Sequence, residues 1–209
     1  PYSYSWSNGS TTSTAGSLLA GSYSVIVTDA NGCVANGSTT VTEDCDGCTY
    51  VSINSNDFES GWGIWNDGGS DAARISNASY ANSGTYFIQL RDNSGAASST
   101  TTDNLDLSSY SELTISFSYY ARSMDNSFED FWLQISTDGG ASFSTIEEWN
   151  RDDEFVNDQR YNDTVIHQGI FSTTTKLRFR CDASGNSDWI YIDDVSISGC
   201  QGSIPDPTC

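Results

Sequence analysis

The sequence predicts an all-β protein, most of it an antiparallel β-sandwich. Three observations carry that prediction. Strand-like segments recur every 8 to 15 residues, punctuated by Gly, Asn or Asp, which is the rhythm of a sandwich. No segment keeps a convincing helical apolar period. The composition, 36% hydrophobic with 18 glycines and abundant Ser, Thr, Asn and Asp, suits short strands and turns better than helices.

Taken in order, the chain opens with Tyr2, Tyr4 and Trp6 alternating with serines, then a turn at SNG (7–9). SYSVIVTD (22–29) is a second strand, closed by the ANG turn (30–32), and STTVTE (38–43) a third. Residues 45–50 read as a linker and 200–209 as a C-terminal one, leaving a domain over 51–199. About ten strands are expected there: NDFES, AARIS, TYFIQLRD, SSTTTDNLDLS, ELTISFSYYAR, DFWLQIST, ASFSTIEEW, NDTVIHQGIF, KLRFRCD and WIYIDDVSI. STDGGASF (136–143) has the Asp-box pattern S-x-D-x-G-x-S-F, a hairpin device in which Asp138 binds turn amides and Phe143 closes the corner.

The domain is organised around NSDWIYIDDVSIS (186–198). Its apolar residues keep a two-residue period through Ile190 and Ile192 and resume out of step at Val195 and Ile197, with Asp193 and Asp194 at the break. A bulge there is the simple reading, and a bulge re-aims side chains. Far upstream, NDFESGW (56–62) places Asp57 and Glu59 around an inward Phe58. The expectation is that the first and last strands of the domain meet and share a structural calcium ion, held by Asp57, Glu59, Asp193 or Asp194 and the carbonyl of Ser83. The alternative is that the two aspartates merely cap the bulge.

Alternation separates the faces of the central strands. Leu113, Ile115, Phe117 and Tyr119 go to the core, leaving Thr114, Ser116, Ser118, Tyr120 and Arg122 outside. Phe131, Leu133 and Ile135 go in, with Trp132 and Gln134 out; Leu177 and Phe179 go in, with Lys176, Arg178 and Arg180 out. If those strands are neighbours, their outer face joins an aromatic platform to a basic row. That combination suits an acidic or sulfated polysaccharide, because sugar C–H faces pack on aromatic rings and Arg offers a planar fork to carboxylate or sulfate. Loops over 122–130 and 147–163 are placed as walls of the groove, with Trp149, Arg151, Arg160 and Tyr161 facing the ligand. Against this stands the ordinary observation that polar strand faces carry Lys and Arg in most sandwiches.

Charge and cysteines bound the partners. The net charge is −20, from 28 acidic and 8 basic residues, which argues against nucleic acid. No apolar run approaches the roughly 18 residues of a membrane span, and no signal peptide is present, so the chain reads as a monomeric fragment of a longer secreted multidomain protein. Cysteines 33, 45, 48, 181, 200 and 209 suggest disulfides, a bridge between the domain's termini among them. The CDGC pair with Cys200 and Cys209 is the zinc alternative. His167 is the single histidine and has no nucleophile motif beside it, so no hydrolytic triad is expected.

Two stretches also resemble known families. The motifs DFESGW (57–62), SGTY (83–86) and RFRCDASGNSDWIYIDDVSI (178–197) resemble MAM-related jelly rolls and calcium-containing carbohydrate-binding modules of secreted bacterial proteins, over about residues 50–199. The resemblance implies a binding sandwich and not an enzyme. PYSYSWSNG followed by LLAGSYSVIVTDANGC resembles part of the immunoglobulin-like repeats of gliding-bacterium adhesins, which implies a spacer over 1–44. The expected function is a non-catalytic carbohydrate-binding module appended to a secreted polysaccharide-degrading enzyme. The rival is a MAM-type interaction domain of a surface adhesin or secreted protease.

Overall fold

The computed structural model describes residues 1–16, 18, 21–41 and 48–202, residue 48 by its backbone alone. The chain divides into two compact units, the second beginning at Cys48. In the first, β1 (Ser3–Trp6), β2 (Gly21–Thr28) and β3 (Val34–Val41) form an antiparallel sheet with β2 in the middle. The expected alternation sets its register, with Tyr4 opposite Val27 and Trp6 opposite Val25. Asp29 accepts the Asn31 and Cys33 N–H groups and so closes the β2–β3 turn.

The second unit is the antiparallel sandwich. Its strands are β4 (Cys48–Asn56), β5 (Trp65–Asp67), β6 (Ala72–Ser76), β7 (Tyr86–Arg91), β8 (Ser99–Thr102), β9 (Tyr110–Arg122), β10 (Asp130–Ser136), β11 (Ser144–Asn150), β12 (Arg160–Gln168), β13 (Lys176–Asp182) and β14 (Trp189–Gly202). One sheet has the order β11-β10-β13-β8-β5; the other runs β12-β9-β14-β7-β6, with β4 also beside β14. A short 3₁₀ turn, Gly95–Ser98, precedes β8.

The core lies where the inner faces meet, and it is built from the residues the alternation assigned to it. Leu113, Ile115, Phe117 and Tyr119 of β9, Phe131, Leu133 and Ile135 of β10, and Leu177 and Phe179 of β13 are all buried. Phe117 meets Phe179 edge-on across the two layers at 4.7 Å, and within the five-stranded sheet Trp149 stacks on Phe131 at 4.7 Å. Such pairs contribute about 0.5–1.5 kcal/mol each beyond their buried area.

The predicted bulge is present, and its cause is a change of neighbour. Up to Ile192, β14 pairs with β7; from Val195 onward it pairs with β4, the first strand of the unit. Against β9 the register slips between Asp193 and Ser196, and Asp194 takes a φ of 49°. The two aspartates stand where one neighbouring strand gives way to the next.

Three boundaries differ from expectation. Residues 48–50 are not linker but the start of β4, and residues 200–202 are not a tail but the end of β14, paired with them. NDFES lies beyond β4: only Asn56 belongs to the strand, and Phe58 sits fully buried at φ 58°, its N–H held by the Asn56 side chain. β5, of three residues, is too short to show an alternation. Cys200 is disulfide-bonded, whereas Cys33 and the buried Cys181 are free. The side chains of Cys45, Cys48 and Cys209, on which both the terminal bridge and the zinc alternative depend, lie outside the described residues.

Candidate functional site

The outer face of the five-stranded sheet gathers five of the predicted ligand residues. β10 and β13 are neighbours, and their register puts Trp132 opposite Arg180, Gln134 opposite Arg178 and Ser136 opposite Lys176. β8 extends the rungs with Ser99 beside Arg180 and Thr101 beside Arg178. Arg178 Nε donates to Gln134 Oε1 at 2.8 Å, and Gln134 Nε2 donates to Thr145 Oγ1 at 3.1 Å. The Arg180 guanidinium lies 5.2 Å from the Trp132 ring centroid and donates to Asn93 Oδ1. Its Nε and the Asp130 Oδ1 atom have no hydrogen-bond partner within the protein.

A sixth participant comes from the Asp box. Asp138 accepts from the Ser136 and Ser142 hydroxyls and the Ser142 amide, donors that hold its carboxyl well below the usual range. Locked this way, the hairpin presents Phe143 face-on to Arg178, 3.7 Å from ring centroid to guanidinium. Sequence reasoning assigned Phe143 only to the corner. The signal was available, since the box fixes where its last residue points, but that Arg178 would lie beneath it follows from sheet order alone. Phe143, Lys176, Arg178, Thr101 and Gly68 line a depression of about 260 Å³ at this end of β13. Gly68 is required there, because a Cβ would fall 2.2 Å from the Ala96 and Ser99 carbonyl oxygens.

The other end of the strip is acidic. Asp130 and Asp182 stand directly opposite each other, and Glu148 lies across from Trp132. Burial first, then Glu148, Asp182 and other carboxylates, push Asp130 up to about 6. Beyond them a hollow of about 390 Å³ is lined by Asp92, Asn93, Phe128, Glu129 and Asp182. The 122–130 loop does wall this end: Glu129, 1% exposed, accepts the Asp125, Asn126 and Ser184 N–H groups and leaves Phe128 83% exposed at the tip.

The remaining predicted ligand residues lie elsewhere. Trp149 is 2% exposed in the core, with its Nε1 on Asp163, and Tyr161 points inward to stack on Tyr119 at 5.0 Å. The two ends of their expected loop, 147–150 and 160–163, are strand, and strand alternation turns both rings to the core. Arg151 stands at the end of β11 beside Asp152, at 3.7 Å. Tyr120, Arg122 and Arg160 belong to β9 and β12, hence to the other sheet's outer face. There Tyr120 stacks on Tyr191, Arg122 lies 5.1 Å from both the Tyr80 and Trp189 rings, and Arg160 donates to the Tyr80 carbonyl and the Ser118 hydroxyl. One platform was expected; the sheet order makes two faces, because the chain passes from β9 to β10 by crossing the sandwich.

The residues named for calcium meet around one loop. Asp193, 1% exposed, accepts the Asn82, Ser83 and Asp194 N–H groups; Asp194 accepts from the Asn82 and Ser83 side chains. Glu59 accepts the Thr85 and Tyr86 N–H groups, and these donors hold its carboxyl low, whereas burial pushes Asp193 up. Asp57 accepts the Glu59 N–H. The carboxylates thus satisfy backbone donors left over where β14 changes partner. Such N–H groups compete with a cation for carboxylate lone pairs, and no group of three His, Cys, Asp or Glu side chains with metal-holding geometry occurs among the described residues. As placed, Asp57, Glu59, Asp193 and Asp194 form a hydrogen-bonded staple around the loop.

The fold is that of the β-sandwich carbohydrate-binding modules. No family model and no curated protein matches the chain. Among solved structures, it is similar to the CBM22-1 and GH10 modules of Clostridium thermocellum endo-1,4-beta-D-xylanase 10B complexed with xylohexaose, at TM-score 0.52 and 18% identity over 71% of this chain and 28% of that one. It is also similar to the CBM22-1 xylan-binding domain of Paenibacillus barcinonensis, at TM-score 0.52 and 12% identity over 73% and 96%. The K2 cleaved adhesin domain of Lys-gingipain aligns at TM-score 0.49 and 14% identity over 72% and 99%. The chain spans little more than a quarter of the length of the xylanase structure. Among the described residues no helix is long and apolar enough to cross a membrane.

Proposed function

We propose that the sandwich is a non-catalytic carbohydrate-binding module that takes a polysaccharide along the outer face of its five-stranded sheet, with acidic or sulfated chains favoured. The observation that carries the reading is the strip itself: Trp132 and Phe143 rings beside Lys176, Arg178 and Arg180 on one face. Rings and forks are what a decorated sugar chain needs. The strip follows β13 from Lys176 to Asp182, about 20 Å at strand rise, enough for a short oligosaccharide. Sandwiches of the same fold that bind xylan support the class of ligand. The module would serve outside the cell, within a longer protein that degrades polysaccharide. Calcium at the staple is proposed as a structural addition, using lone pairs that Glu59 and Asp57 have left, with a calcium-dependent melting temperature as its sign.

The test is affinity electrophoresis of the full chain in gels containing plant and marine polysaccharides. Retention by at least one polymer is expected, with Trp132→Ala and Arg178→Ala each weakening it about tenfold, the scale of one aromatic or charge-assisted contact. Free migration in every gel would end the glycan reading and turn attention to protein partners.

A further inference from the structure

The strip is polarised along its length, and the polarity narrows the ligand. Along the outer face of β13 the order is Lys176, Arg178, Arg180, Asp182, three cations followed by a carboxylate. Asp130 sits opposite Asp182, and Glu148 opposite Trp132, so three acids close the end at which the basic row stops.

The cations are held without being neutralised. Among the described residues the ion pairs are Arg91 with Asp71 and Arg151 with Asp152, so none of Lys176, Arg178 and Arg180 has a carboxylate within ion-pair distance, in a chain of 28 acids. Asp138 is engaged by Ser136 and Ser142, and Asp103 by Asn66. Arg178 is bound by a neutral amide and covered by a ring, an arrangement that fixes the guanidinium while leaving its charge unmet. Burial and the neighbouring Arg180 both push its pKa down, which is the mark of a cation lacking an anion.

A uniformly charged polymer fits this face poorly. Lying along the strip, it would set one charged ring at Arg178 and others beside Asp130, Asp182 and Glu148, where like charges repel. Beyond the strip it would meet a protein of net charge −20. A chain of neutral rings with one isolated acidic substituent meets neither penalty. Its substituent enters the depression under Phe143, and its neutral rings run over Trp132.

We propose that the strip selects glycans whose backbone is neutral and whose acidic groups are sparse, seating a single carboxylate between Lys176 and Arg178 and using its acidic end to reject polyanions. The inference rests on the glycan reading above and deepens it.

The experiment is titration calorimetry of the full chain with four probes: glucuronoxylan, the same polymer after carboxyl reduction, polygalacturonate, and polygalacturonate with the double variant Asp130→Asn, Asp182→Asn. Glucuronoxylan is expected to bind about tenfold or more tighter than its reduced form, the worth of one charge-assisted contact. Polygalacturonate is expected to bind no better than the reduced polymer, and the double variant to gain about tenfold on it. Equal binding of native and reduced xylan sinks the seated carboxylate, with the carbohydrate function intact. Tight binding of polygalacturonate by the natural chain, or no gain in the double variant, sinks the rejection of polyanions. Silence with every probe overturns the inference together with the reading beneath it.

Discussion

The two outer faces of the sandwich carry the same kinds of side chain and use them differently. On the six-stranded sheet the residue 77–85 loop lies over the strands: Tyr80 packs on Tyr120 and Tyr191, and Asn82 and Ser83 bind Asp193 and Asp194. Arg122 and Arg160 serve that cover, one between rings and the other on the Tyr80 carbonyl. Tyr191, at the centre, is 4% exposed. On the five-stranded sheet Phe143 covers Arg178 and Asn93 accepts from Arg180, yet among the described residues Lys176, Arg178 and Arg180 have no carboxylate within ion-pair distance. Arginine beside an aromatic ring therefore says little about ligands until the remaining partners of the guanidinium are counted.

The sharpest way to break the comparison is to uncover the closed face. Asp193→Ala removes a buried acceptor from three N–H groups, and its expected cost is about 3 kcal/mol of unfolding free energy in urea. Glycan affinity of the folded fraction should stay unchanged, since the strip lies on the other sheet. If calcium joins the staple, wild type melts higher in calcium than in chelator and the variant does not. Identical wild-type melting in both removes the cation and leaves the hydrogen bonds alone. An Asp193→Ala protein as stable as wild type would mean that the loop is held by its aromatic contacts and not by the staple.

A smaller effect separates two arginines. Arg122→Ala loses two ring contacts and a partner for the Tyr191 hydroxyl, with an expected stability loss of about 1 kcal/mol and no change in glycan retention. Arg178→Ala loses a ring contact and a hydrogen bond to Gln134, so a similar stability loss is expected, but with weakened retention in the folded protein. Swapped outcomes would place the ligand on the wrong sheet.

The sequence carried the period of each strand but not its neighbours. Alternation named the inner residues of β9, β10 and β13, and the break in it at Asp193 and Asp194 located the bulge, because side-chain direction is a local property of an extended chain. Sheet order is not local. Nothing in ELTISFSYYAR says that its outer face looks away from that of DFWLQIST, so Tyr120 and Arg122 were grouped with Trp132 and Arg178. Trp149 and Tyr161 were misplaced for a related reason: WNRDDEFVNDQRY is polar enough to read as loop throughout, while its first and last residues take their direction from β11 and β12.

The smallest effect tests the acid end of the open strip. Burial and crowding push Asp130 up to about 6 in the folded protein, against about 3.9 for an unperturbed aspartate. Between those values the folded state binds more protons than the unfolded one, so this group adds stability as pH falls from 7 toward 5 and loses it as pH rises through 6. Asp182, Asp188 and Asp193 are raised too and act in the same sense. Glu59, Asp71, Asp106 and Asp138 are lowered, so their contribution is lost only below about pH 4. His167, whose imidazole burial pushes down, opposes the trend below about pH 6.5, which makes the variant and not the wild-type slope the measurement. Asp130→Asn should raise stability at pH 7 by less than about 1 kcal/mol once solvent screening is allowed for, and should flatten the gain between pH 7 and 5. An unchanged slope would mean that Asp130 is not crowded by Asp182 and Glu148, and the polarity that distinguishes the open face from the closed one would lose its acidic pole.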